Sequence, residues 1–249
     1  MDAQNLLVQI QEAIDQAEPG QHIAIPEGKL EGTLVVHKPV RLVGQGIGKT
    51  FLDGQTQQVA LIVEADEGQV LVENLCIQNG ASPEGGGLQV FNGAHVKLSN
   101  CLLQNNEAIE GPGGGIAVPD GQVEANNCQF NNNRAQHGGA AFCGEVSTAS
   151  FADCTFTGNT AQSGGALWLI EQVKVTAENC TFEDNQASQG GSHLHLQGTT
   201  SVAPEVTLIG CTFYASKKGQ DFFNHPEHPA KVALEETPLK EFQLRHLFP

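Results

Sequence analysis

Asn179-Cys180-Thr181-Phe182, followed ten residues after the cysteine by Gly190-Gly191, decides the fold of this chain. The same phrase recurs as Asp153-Cys154-Thr155-Phe156 with Gly164-Gly165, and as Asn127-Cys128-Gln129-Phe130 with Gly138-Gly139. Looser copies begin at Asn100 and Asn74, with Gly113-Gly114 and Gly85-Gly86, and a degraded one begins Gly210-Cys211-Thr212-Phe213. A phrase repeated at this spacing means stacked supersecondary units.

Working outward, three apolar pairs at i, i+2 recur in each copy. One column runs Val70/Val72, Val96/Leu98, Val123/Ala125, Ala149/Phe151, Val175/Ala177 and Val206/Leu208. A second runs Leu75/Ile77, Cys101/Leu103, Cys128/Phe130, Cys154/Phe156, Cys180/Phe182 and Cys211/Phe213. The third runs from Leu34/Val36 through Ala141/Cys143 and Leu167/Leu169 to His193/His195, at intervals of 25–28 residues. Three short strands per interval, each with alternate side chains inward, predict an all-β, three-sided parallel solenoid of roughly eight coils. Asn74, Asn100, Asn127, Asp153 and Asn179 stand where the chain bends into the cysteine strand, as residues that tolerate left-handed dihedrals. Asn106, Asn133, Asn159 and Asn185 read as a second such column.

The ends must be capped, because a solenoid otherwise leaves a sheet edge and an open core. Leu6, Leu7, Ile10, Ala13, Ile14 and Ala17 share one helical face, stopped by Glu18-Pro19-Gly20. The whole chain, 1–249, reads as a single domain: cap helix 1–20, coils 21–215 and a C-terminal tail 216–249. In the tail, Thr237-Pro238 opens an expected short helix carrying Leu239, Phe242, Leu244 and Leu247.

Composition narrows the partners. The formal charge is −16, so nucleic acid and anionic membrane surfaces are repelled. There is no run of about 18 apolar residues, so no membrane insertion is expected. The first residues carry neither a basic nor an apolar signal segment, which points to the cytoplasm, a trimmed exported precursor being the alternative. Seven cysteines, five in one column, read as reduced buried thiols. No cofactor and no metal are expected. His193/His195 read as inward-facing polar residues where the core ends, His225-Pro226-Glu227-His228 as a loop.

These residues resemble the right-handed parallel β-helix proteins of the pectin-lyase-like superfamily, over nearly the whole chain. The opening Ile10-Gln11-Glu12-Ala13-Ile14, Pro19-Gly20 and Lys38-Pro39-Val40-Arg41-Leu42-Val43-Gly44 is similar to that group's capping helix and first coil. Phe130-Asn131-Asn132-Asn133 with Gly138-Gly139-Ala140, and its counterparts from Phe156 and Phe182, resemble repeats of the polymorphic outer-membrane protein type. The resemblance implies a right-handed solenoid. It also implies that the outer face of the glycine-led strands is where pectate lyases and polygalacturonases keep their charged catalytic groups.

The outward positions of that strand read as Thr33/Val35, Ala60/Ile62, Gly87/Gln89, Gly115/Ala117, Ala140/Phe142, Ala166/Trp168 and Ser192/Leu194. None is charged, so no catalytic residue is assigned. Phe142, Trp168 and Leu194 form an apolar cluster that either the tail covers or a ligand occupies. Glu107 and Glu110 lie in a coil expansion that could hold specificity. The expected function is a non-catalytic binding or scaffold module that engages a protein, a second copy or a glycan. The alternatives are a polysaccharide lyase or hydrolase using Glu107, Glu110, Glu183 and Asp184, and a passenger segment of an adhesin.

Overall fold

A computed structural model of the protein describes residues 3–144, 146–198, 203–216 and 220–240. Its described strands form three long parallel sheets, of nine, eight and eight strands, that wind as a solenoid of about eight turns. The glycine-led sheet runs from Leu34–Val36 through Ala141–Cys143, Leu167–Ile170 and Leu194–Gln197 to Phe222–Asn224. The nine-stranded sheet runs from His22–Ala24 to Lys231–Glu235, and the cysteine-led sheet from Gly28–Glu31 to Thr212–Phe213. Within the three long sheets the described pairings are parallel and in register from coil to coil, so like residues stack.

Stacking fills the interior. Phe130, Phe156, Phe182 and Phe213 lie ring on ring at centroid distances of 4.8, 4.6 and 4.6 Å. That spacing is the distance between neighbouring strands, so the backbone repeat sets the ring repeat. Cys101, Cys128, Cys154, Cys180 and Cys211 form the adjacent column at 1% exposure or less, with free thiols that donate to backbone carbonyls. At the N-terminal end, helix Ala3–Gln16 buries Leu6, Ile10 and Ile14 against the first coil. Its Gln11 side chain exchanges two 2.9 Å hydrogen bonds with the backbone of Val35, satisfying the edge strand as a further strand would.

The corner prediction is met in the first asparagine column. Asn74, Asn100, Asn127, Asp153 and Asn179 all have φ between 51° and 55°. The second column works differently. There the left-handed residue is the preceding one, such as Asn105, Asn132 or Asp184, while Asn106, Asn133, Asn159 and Asn185 turn inward with no exposure. Asn133, Asn159 and Asn185 each accept from the backbone and side chain of the asparagine one coil earlier, while Asn106 accepts from Gly80 N; Asn106 N and Nδ2 lie 3.1 and 3.0 Å from Asn133 Oδ1. The amide of Asn133 in turn donates to Leu103 O at 3.0 Å. This is a buried polar network whose members are all satisfied.

That network explains the small residues of the glycine-led strand. Ala60, Ala140 and Ala166 do not face solvent as expected but are fully buried. A Cβ on Gly87 would lie 2.8 Å from the Asn106 side chain, so the column is small to make room for the amide ladder. Gly164 is left-handed at φ +66°, and a Cβ on Gly165 would stand 2.4 Å from Ser192 O. Each half of the Gly-Gly pair is therefore needed for a separate reason.

Two further expectations change. The coils continue past residue 215: Phe222–Asn224 pairs with Leu194–Leu196, and Lys231–Glu235 with Glu205–Ile209. The expected helix at Thr237-Pro238 is absent from 237–240, where Thr237 Oγ1 instead bonds Leu208 O and Cys211 N. Phe242, Leu244 and Leu247 lie outside the described residues.

Candidate functional site

The glycine-led sheet presents one row of side chains outward, and the strand register fixes its order. Val35, Ile62, Gln89 and Ala117 lead into Phe142, Trp168, His195 and Phe223. Leu194 is therefore not part of this face. It pairs with Leu167, has no exposure and belongs to the core, while His195 takes the outward place. His193, expected to share a column with His195, occupies the buried column of Ala166 and closes the asparagine ladder. Its Nδ1 lies 3.2 Å from Asn185 Nδ2, and its Nε2 lies 2.7 Å from Tyr214 O.

The physical cause is one inserted residue. The rung Gln186–Gly190 slips against Thr160–Ser163, so that Ser163 pairs with Gly190 and Gly191-Ser192 takes the place of Gly164-Gly165. A shift of one position exchanges the two faces of a strand.

The outer row ends in a ladder of aromatic rings. Phe142 and Trp168 stack at 5.1 Å, His137 lies against Trp168 at 4.3 Å, and His195 against Phe223 at 4.3 Å. His225 continues it from Phe223 and stacks on His228. Phe223 arrives from the segment expected to lie over Phe142 and Trp168; it lengthens the ladder by one rung instead of covering it. Phe142 and His195 are each only 7% exposed, whereas Trp168 and Phe223 are half-buried. Burial lowers the His195 pKa to about 4 and also lowers that of His137, so both rings are neutral at pH 7. Three buried side-chain nitrogens with no hydrogen-bond partner among the described residues, His137 Nδ1, Trp168 Nε1 and His225 Nδ1, all belong to this ladder.

Beside the ladder, the segments that lead from the cysteine-led sheet to the glycine-led one form a short fourth ladder, absent from the three-sided expectation. A groove of about 380 Å3 runs along it. Glu107 lines this groove and faces Arg134 at 3.5 Å. Glu110 is exposed on the adjoining loop, whose backbone N–H bonds Pro83 O. Arg134, Gln136 and Gln162 were not singled out by sequence, because isolated polar residues in loops carry no periodic signal. Glu183 lies on the outer side of the cysteine-led sheet and Asp184 at its corner, so the four carboxylates do not converge. Among the described residues no three His, Cys, Asp or Glu side chains group as a metal site, and no helix is long and apolar enough to cross a membrane.

Comparison with known proteins agrees with this architecture. The family described as right handed beta helix region matches residues 48–144, and the Chlamydia polymorphic membrane protein repeat matches 153–169. No protein of curated function matches the chain. Among solved structures, a pectin methylesterase in complex with a hexasaccharide is similar at a TM-score of 0.56 and 12% identity, over 94% of this chain and 87% of that one. An alginate lyase from Paenibacillus is similar at a TM-score of 0.34 and 13% identity, over 94% and 97%. At 12% identity the likeness to the pectin methylesterase is one of fold. The chain is a right-handed parallel β-helix.

Proposed function

We propose that the protein is a non-catalytic binding module that holds a protein or glycan ligand against the aromatic ladder. The observation that carries this reading is the row Phe142–Trp168–His195–Phe223, which presents stacked rings and no carboxylate on the face where a catalytic groove would need two. Rings held by their neighbours lose little conformational freedom when a ligand stacks on them, which favours recognition.

The chain has one tryptophan, so Trp168 is its own reporter. Its emission is followed while soluble glycans are added, and separately while protein concentration is raised. A saturable change that His195→Ala weakens supports the reading; emission flat under both titrations overturns it.

The polymorphic membrane protein repeat match at 153–169 favours a second reading, an adhesin-like passenger segment. That reading expects the gene product to carry an export signal and an outer-membrane barrel, which sequencing of the full reading frame checks.

A further inference from the structure

The groove on the fourth ladder is separate from the aromatic face. Its floor is two short rungs, Arg134–Gln136 and Thr160–Gln162, and its rims are the two rungs that carry extra residues. The rung above, from Asn106 to Gly113, is longer by two residues and raises Ile109; the rung below is longer by one and raises Ser188. Insertions on both sides of uniform rungs make a trough about 380 Å3 in volume, within the roughly 300–1,000 Å3 range of small-molecule clefts.

The chemistry of the lining selects a ligand class. Gln136 and Gln162 each offer an amide donor and an acceptor, Thr160 and Ser188 hydroxyls that do both, Arg134 donors and Glu107 acceptors. Ile109 is 56% exposed at the rim, an apolar wall for the C–H face of a ring. An added peptide strand is disfavoured because the rungs already bond to one another, Ala108 N to Arg134 O and Ala135 N to Thr160 O. An anionic ligand meets Glu107 and a chain of charge −16. We infer that this groove binds a short neutral oligosaccharide through alternating donors and acceptors on stacked rungs.

The test is isothermal titration of the full chain with neutral hexasaccharides of the cello, malto, manno and xylo series, and with hexagalacturonate as the acidic control. One neutral series binds and hexagalacturonate does not. Arg134→Ala and the pair Gln136→Ala/Gln162→Ala each weaken that binding about tenfold or more. All three side chains sit at the surface, and circular dichroism confirms the folded state. Thr181→Ala, on the outer side of the cysteine-led sheet and outside both sites, leaves the same binding unchanged. Absence of binding by all four neutral series overturns the inference. So does binding that survives the groove variants and is lost in Trp168→Ala, an outcome that would assign the sugar to the ladder.

Discussion

His193 Nδ1 lies 3.2 Å from Asn185 Nδ2, and this contact closes a ladder of buried side-chain amides that starts at Asn106. The imidazole also reaches Tyr214 O at 2.7 Å, so with Nε2 protonated it donates to the backbone and accepts from the amide. Burial holds its pKa below the usual value, which keeps the accepting nitrogen free. A residue that could be taken for a metal ligand is the stop of a structural network.

Interrupting that network is costly. Asn133→Ala removes the acceptor for two donors of Asn106 and the donor to Leu103 O, all without exposure to water. A loss of about 3 kcal/mol or more is expected in urea unfolding. Asn132→Gly, at an exposed neighbour with φ 54°, should be near neutral.

The phenylalanine column gives a second magnitude. Phe156 is fully buried between Phe130 and Phe182. Phe156→Ala should cost about 3–5 kcal/mol by the same measurement, with a cavity left at mid-solenoid.

Gly165→Ala puts a methyl group 2.4 Å from Ser192 O, a backbone atom that cannot move without disturbing the next coil. A cost of about 1–3 kcal/mol is expected in thermal or urea unfolding.

Acid sensitivity follows from the aromatic ladder. His195 titrates near 4 in the folded chain because it is buried, against about 6.5 unfolded. The unfolded state therefore binds more protons between these values, and stability falls as pH drops from 6.5 to 4. The contribution is on the order of 3 kcal/mol, part of it shared with His137 and His193, which are shifted the same way. Urea midpoints measured from pH 7 to 4 should fall less steeply in His195→Phe than in the parent chain.

All seven cysteines are free and buried, and burial pushes the thiols of Cys76 and Cys143 up to about 12. A reagent must also reach the sulfur, and none of the seven thiols is at the surface. Iodoacetamide should leave the mass of the native protein unchanged and add seven labels in denaturant.

Alternation of apolar residues with period two, repeated at intervals of 25–28, determined by itself that short parallel strands stack in register. It also determined that Cys180 and Phe182 point inward and that Asn179 turns a corner, because each of these depends on residues adjacent in the chain. Only the tertiary structure decided between Leu194 and His195 for the outer face. They stand at adjacent positions after a Gly-Gly pair, and the choice depends on pairing with Leu167 and Trp168 in the previous coil, across an insertion that sequence spacing does not locate. The groove between Ile109 and Ser188 is of the same kind: it exists because residues far apart in the chain are stacked one strand spacing from the next, and no local pattern marks them.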